Sequence, residues 1–254
     1  MSIVTADSLP PADQLHEIAL ELTDERLPQG WELVNSSRFA RVAHHPHWDI
    51  YFKEFLPRSP LESLKAILRG SRATRARRSD ALLLQAGIVA PRAIAWGKSP
   101  RGGEYLFTHT VPGSSATQWL TDTLPSKAAE HQKLRRQFLR ELGLFIGRLH
   151  ASGFIHGDLR PGNILAQQRG QRFYFALIDN ERTCHSELPS GRALLRNLMQ
   201  LNMLTPSQLS QTDRLRFFNA WRRQLRALTP LEANILGTRA YHWAMQRLYD
   251  KGQL

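Results

Sequence analysis

Leu149-His150-Ala151-Ser152-Gly153-Phe154-Ile155-His156-Gly157-Asp158-Leu159-Arg160-Pro161-Gly162-Asn163-Ile164-Leu165, taken with Ala176-Leu177-Ile178-Asp179-Asn180-Glu181 further on, decides how this chain is read. Asn163 stands five residues after Asp158. A second aspartate, Asp179, follows two short strand-like runs, Asn163–Ala166 and Phe173–Ile178. Phosphoryl transfer asks for these residue types in this order. One carboxylate orients the acceptor hydroxyl and takes its proton, while an amide oxygen and a second carboxylate hold a divalent cation against phosphate oxygens. Taken singly, His-Gly-Asp and Pro-Gly-Asn are ordinary turn tripeptides. Their combination with a strand-borne Asp179 favours the chemical reading.

Working outward, Leu134, Phe138, Leu142, Phe145, Ile146 and Leu149 fall on one face of a helix leading into this segment. From Gly191 onward the pattern is helical, with boundaries at Leu204-Thr205-Pro206-Ser207 and Thr229-Pro230. Upstream the chain is β-rich. Trp31–Val34, Arg38–Val42, Trp48–Phe55, Ala93–Trp96 and Glu104–Thr110 read as strands, with His44-His45-Pro46-His47 as a turn. A helical stretch lies near Asp13–Leu22, and another covers 61–86 with a break at Gly70-Ser71. Val111-Pro112-Gly113 is the linker candidate. A β-rich first part followed by a mostly helical second part predicts the α+β class.

Over roughly residues 31–185 the sequence resembles the protein-kinase-like superfamily, and within it the bacterial lipopolysaccharide core-sugar kinases, which include heptose and Kdo kinases. His156-Gly157-Asp158 matches the glycine-containing loop shared with aminoglycoside and choline kinases, in place of the His-Arg-Asp of protein kinases. Ile178-Asp179-Asn180-Glu181-Arg182 stands where protein kinases carry Asp-Phe-Gly. The resemblance implies a bilobal protein-kinase-like fold. Its parts would be an N-terminal extension (1–30), a small β-rich N-lobe (31–112) and a mostly helical C-lobe (113–254).

The same resemblance implies ATP and Mg²⁺ as cofactors and assigns roles. Asp158 is the base, Asn163 and Asp179 are the Mg²⁺ ligands, and Arg160 takes the place of a lysine that meets the transferring phosphate. Lys53, on the strand Ile50–Phe55, is placed as the nucleotide-phosphate lysine. Thr108 to Val111 fall where a hinge backbone reads adenine, with His109 at a position where relatives often carry glutamate. Three features depart from the pattern. Asn35-Ser36-Ser37-Arg38 stands where a glycine-rich loop is expected, so Ser36 and Ser37 are the candidate phosphate contacts, an ordinary hairpin turn being the alternative. Asp80, or else Glu62, stands in for the helix glutamate that pairs with the lysine. Only about a dozen residues separate Asp179 from the next helix, too few to dock a peptide, which favours a small-molecule or glycan acceptor.

Charge sharpens the choice of acceptor. The 254 residues carry 34 Lys+Arg against 22 Asp+Glu, a net charge of +12, and only six of the basic residues are lysine. Arginine grips phosphate and carboxylate bidentately, so the partner is anionic. Arg58 to Arg78 holds Arg58, Lys65, Arg69, Arg72, Arg75, Arg77 and Arg78 against Glu62, with Leu61, Leu64, Ile67 and Leu68 interleaved. That pattern predicts a basic amphipathic helix suited to an anionic membrane surface or a phosphorylated glycolipid. No zinc-finger, homeodomain-like or RNA-binding signature accompanies the charge, so nucleic acid is not expected.

One cysteine, Cys184, excludes an intramolecular disulfide framework and a cysteine zinc site. His44, His45 and His47 lack acidic or thiol companions at ligand spacing and read as structural. His150 reads as a helix-end residue and His156 as a loop brace. No signal peptide or membrane span is predicted. The expectation is a cytoplasmic protein, peripheral at the inner face of the membrane, acting on lipopolysaccharide inner-core glycolipid. The alternatives are a kinase of another small acceptor, such as an aminoglycoside or choline, and a pseudokinase-type glycolipid-binding module.

Overall fold

Apolar alternation in Ile50-Tyr51-Phe52-Lys53-Glu54-Phe55 makes a strand that buries Ile50, Phe52 and Phe55 and half-exposes Tyr51 and Lys53. The computed structural model describes residues 9–24, 26–56, 70–99, 102–125, 129–187 and 191–254. The chain divides into two units, Met1–Leu82 with Pro91–Thr110, and Leu83–Ala90 with Val111–Leu254.

The first unit is built on a five-stranded antiparallel sheet of β1 (Glu32–Val34), β2 (Ala40–His45), β3 (Ile50–Phe55), β4 (Ala93–Lys98) and β5 (Glu104–His109), in the order β1-β2-β3-β5-β4. Lys53 sits in register between Val42 of β2 and Leu106 of β5. Helix α1 (Ala12–Thr23) buries Leu15, Ala19 and Leu22 in a core shared with Trp31, Phe52 and Phe107. Arg41 of β2 donates to the carbonyls of Leu22 (2.9 Å) and Thr23 (2.8 Å) at the end of α1, a cation placed where the helix dipole is negative. Gly70 and Ser71 are non-helical, and α2 (Arg72–Gln85) begins after them; the part of the predicted helix before Gly70 lies outside the described residues.

Two expectations change here. His44 and His45 belong to β2, and the turn is Pro46–Asp49, so Trp48 and Asp49 precede β3 instead of starting it. The reason is aromatic packing. His45 is buried, stacks on Trp48 at 3.8 Å and accepts from the Trp48 N–H at 3.1 Å, so a strand position was spent on a histidine that burial keeps below its ordinary pKa. The basic stretch also differs from a solvated cationic face. Arg58, Glu62, Lys65, Arg69 and the leucines between them lie outside the described residues. Arg72, in contrast, is buried, donates to the carbonyls of Phe39 (2.9 Å) and Leu56 (3.1 Å) and lies over the Phe55 ring. Arg75 donates to the Gly70 carbonyl and Arg77 lies over Trp96, so Arg78 is the exposed cation of α2.

The second unit is mostly helical: α3 (Gln132–Ala151), α4 (Gly191–Leu201), α5 (Gln211–Arg222) and α6 (Pro230–Tyr249). It carries β6 (Ser114–Ser115), β8 (Ile164–Arg169) and β9 (Arg172–Leu177) as one small sheet and β7 (Phe154–Ile155) with β10 (Cys184–His185) as another. The predicted face of α3 is buried, with Phe138, Leu142, Ile146 and Leu149 in one core with Ile164, Leu177, Leu198 and Trp221. α3 and α5 meet backbone to backbone. A Cβ at Gly143 would lie 2.4 Å from the Phe217 carbonyl oxygen, and one at Gly147 would lie 2.7 Å from that of Trp221. Arg135, fully buried on α3, ties this unit together through Asp213 (3.0 Å) and the carbonyls of Leu120, Leu124 and Gln208. Among the described residues no helix is long and apolar enough to cross a membrane.

Candidate active site

Residues 156–163 form a tightly braced loop of the second unit. β7 pairs with β10, which sets His156 and Gly157 against the chain that follows Asp179. Gly157 has φ +77°, and a Cβ there would lie 2.5 Å from the Arg182 carbonyl oxygen. Glycine is therefore required twice, for its conformation and for the close approach. Asp158 follows, then a single 3₁₀ turn at Pro161–Asn163. The Asn163 side-chain amide donates to the Asp158 carbonyl at 2.9 Å, while the Asn163 carbonyl accepts from the Ile178 N–H at 3.0 Å. One asparagine thus holds the Asp158 loop and the approach to Asp179 in register.

The Asp158 carboxylate is 23% exposed, open enough to meet a hydroxyl and held on one side. Its Oδ1 receives Arg160 Nε at 3.0 Å and the Gln200 amide at 3.3 Å. Gln200 also donates to the Gly157 carbonyl (3.2 Å) and accepts from the Leu159 N–H (2.9 Å), so one α4 side chain spans three consecutive loop residues. Asn197, one turn earlier, accepts from the His156 N–H at 3.2 Å and donates to Gln200 at 3.2 Å.

Two neutral histidines complete the brace. His150 Nδ1 accepts from Trp221 Nε1 at 2.9 Å, which leaves its Nε2–H to donate to Asn197 at 3.2 Å. Complete burial brings its pKa down to about 4, opposed by the Asn197 bond and assisted by His156. His156 Nδ1 accepts from the Asp158 N–H (3.3 Å) and Nε2 donates to the Ile178 carbonyl (3.0 Å). Burial lowers its pKa too, opposed by the bond to Ile178 and by the nearby charges of Asp179 and Asp158. Both of its nitrogens are occupied, so it supports the loop, as predicted.

Asp179 adopts a left-handed conformation, φ 61° and ψ 46°, uncommon for a residue with a side chain. Such conformations persist where the surroundings over-determine them, and they concentrate at functional sites. Here the surroundings are the Leu177 carbonyl, which takes the Asn180 amide at 3.1 Å, and the His156 bond to Ile178. The donor set suits Mg²⁺. With the Asn163 nitrogen committed to Asp158, its Oδ1 is the end left to a cation, and Asp179 supplies a carboxylate. Mg²⁺ is usually held by one or two such oxygens plus phosphates and waters. Among the described residues no cluster of three His, Cys, Asp or Glu forms an all-protein metal site.

The other candidates belong to elements described above. Lys53 is on β3, its ammonium 5.1 Å from the centre of the Phe55 ring. Asp80 is on α2 and buried. Ser36 donates to the Ala40 carbonyl at 2.8 Å and Ser37 accepts from the Phe39 N–H at 3.4 Å, so both hydroxyls shape the β1–β2 turn. Thr108 is on β5 in register with Tyr51, and Val111 begins the long segment of the second unit. The sequence reading missed Asn197 and Gln200. The available signal was two polar residues three apart on the otherwise apolar face of an amphipathic helix.

Gln200→Glu is expected to lower kcat about 10- to 100-fold and to move the acidic limb of its pH profile to higher pH. The substitution removes donation to the Gly157 carbonyl and sets a second carboxylate 3.3 Å from Asp158, and two such groups do not ionise together readily. A pH–rate profile checks this; a uniform fall in kcat with an unmoved limb would make Gln200 merely structural.

A family model described as Lipopolysaccharide kinase (Kdo/WaaP) family matches residues 63–221. Among solved structures, WaaP in complex with acyl carrier protein aligns with a TM-score of 0.57 at 16% identity, covering 93% of this chain and 98% of that one. The aminoglycoside phosphotransferase APH(3'')-Id from Streptomyces rimosus aligns at 0.50 and 17% identity, covering 92% of this chain and 99% of its own. The bifunctional kinase-methyltransferase WbdD aligns at 0.50 and 20% identity over 84% of this chain, which spans 46% of WbdD. At these identities the likeness establishes the fold, which is protein-kinase-like. No curated protein sequence matches the chain.

Proposed function

The chain belongs to the lipopolysaccharide kinase (Kdo/WaaP) family, and from that footing we propose that it phosphorylates a sugar hydroxyl, on heptose or Kdo, of the lipopolysaccharide inner core. The observation that carries this reading is the Asp158 carboxylate, held on one side by Arg160 and Gln200 and still partly open. Asp158 orients the acceptor hydroxyl and takes its proton. The acceptor oxygen then bonds to the γ-phosphorus of ATP, the bond from that phosphorus to the β–γ bridging oxygen breaks, and ADP leaves. Arg160, 65% exposed, swings from Asp158 to the transferring group and offsets its charge. Asn163 and Asp179 would hold Mg²⁺, which when bound neutralises phosphate charge. Lys53 engages the nucleotide phosphates, with Asp80 as the acidic partner on α2 and Thr108 to Val111 as the backbone that reads adenine.

A net charge of +12 favours an anionic glycolipid over the cationic aminoglycoside or choline acceptors. The reaction is placed at the cytoplasmic face of the membrane holding that glycolipid. Within the Arg58–Arg78 stretch a lipid contact rests on Arg78 and on residues outside the described set. The test is transfer of labelled phosphate from ATP to a panel of purified core glycolipid, an aminoglycoside and choline, with the product weighed by mass spectrometry. The glycolipid alone is expected to gain one phosphate. Transfer to either cation in preference to it would overturn the acceptor assignment.

A further inference from the structure

Lys133, Arg136 and Arg140 follow one another at i, i+3 and i+7 on α3, while Arg216 and Arg223 are seven apart on α5 and at its end. All five line a single groove of about 720 Å³ in the second unit. At 1.5 Å per residue each row of cations is about 10 Å long. None of the lining residues belongs to the loop at 156–163 or to the segment at 179–182.

Three observations mark this groove as a binding surface. First, its charge is not cancelled. Among the described residues no carboxylate pairs with Lys133, Arg136, Arg140 or Arg223, all of them exposed. Arg216 does bond Asp213, at 3.1 Å, but that carboxylate already answers the buried Arg135. Second, the crowding is built in. Gly143 and Gly147 let α3 and α5 approach backbone to backbone, so cations from two rigid helices open on one trough. Like charges held this way repel, and an anion in the trough relieves them. Third, the remaining lining selects the ligand. Gln132 and Asn219 add amide groups, the Gln137 amide being spent on Glu141 and the Gln171 carbonyl, and among the described residues the apolar lining is Ala129 and Ala220. A protein partner would need an apolar or aromatic anchor at the centre, and none stands among the described lining residues. Forked guanidiniums beside amides suit phosphate oxygens.

We infer that the α3–α5 groove is a second, non-catalytic anion site for a ligand carrying two or more phosphate ester groups within about 10 Å, the span of its cationic rows. It stands independently of the acceptor assignment, because its test reads binding and needs no turnover.

Two probes separate the sources of such phosphates. Inositol hexakisphosphate offers them in solution and is followed by titration calorimetry. Vesicles of phosphatidylcholine with and without phosphatidylglycerol offer them on a lipid surface and are followed by flotation. The wild-type protein is expected to bind at least one probe. At about fivefold per removed charge, Arg136→Gln with Arg140→Gln binds it about 25-fold more weakly. Arg136→Lys with Arg140→Lys keeps most of the affinity, and both variants keep the wild-type circular dichroism. Binding of the soluble probe supports the site and shows that clustered phosphates suffice. Binding of anionic vesicles alone supports it and identifies a lipid surface. Binding of neither probe, or equal binding by the glutamine variant, overturns it.

Discussion

Asp158→Asn is expected to lower kcat for phosphoryl transfer by roughly 10³-fold while leaving the KM for ATP within about threefold. The substitution keeps the size of the side chain and an Oδ1 able to accept from Gln200, whose amide stands 3.3 Å away. The loop therefore keeps its support from Gln200, Asn197 and the Asn163 amide, and the nucleotide ligands are untouched. What is lost is the group proposed to accept the hydroxyl proton as the acceptor oxygen bonds to phosphorus. Steady-state kinetics against ATP and acceptor check the split. A kcat within tenfold of wild type would remove Asp158 from the base role. A fall accompanied by a large rise in the KM for ATP would assign it to nucleotide binding.

Arg135→Met is expected to destabilise the second unit by about 3–5 kcal/mol. The guanidinium is fully buried and meets Asp213 at 3.0 Å together with the carbonyls of Leu120, Leu124 and Gln208. Methionine fills the volume and satisfies none of these oxygens. The largest part of the cost is the Asp213 charge, which is left with Arg216 and the Ser210 N–H. Adding Asp213→Asn should recover part of the loss, since a buried amide is cheaper than a buried carboxylate. Urea unfolding of the single and double variants checks this. A single-variant loss under about 1 kcal/mol, or no recovery in the double, would show that the cluster does not hold the unit together.

The loop at 156–163 was legible in the sequence because its pattern is local. Asp158 and Asn163 are five residues apart, and glycine is the type the turn at 157 demands; Asp179, expected on a strand, instead lies two residues beyond β9 in a left-handed conformation. The helix α3 was legible from its apolar face. Less visible was everything that depends on what a polar side chain meets after folding. Asn197 and Gln200 lie some forty residues from the loop they support, on a helix whose polar positions suggest solvent. Arg72 and Arg135 have the composition of surface charges, yet their guanidiniums satisfy carbonyls inside the protein. His45 shows the same limit in a strand, since three histidines around a proline suggest a turn until Trp48 is seen stacked on one of them.

The contact between Gly157 and Arg182 has a bearing on how such loops diverge. A carbonyl oxygen occupies the space where the residue before the catalytic aspartate would carry its Cβ, so an arginine at 157 cannot enter until the backbone at 182 withdraws. Two positions 25 apart in sequence are thereby locked into joint change. A change from His-Gly-Asp to His-Arg-Asp in this chain would require the stretch after Asp179 to shift with it.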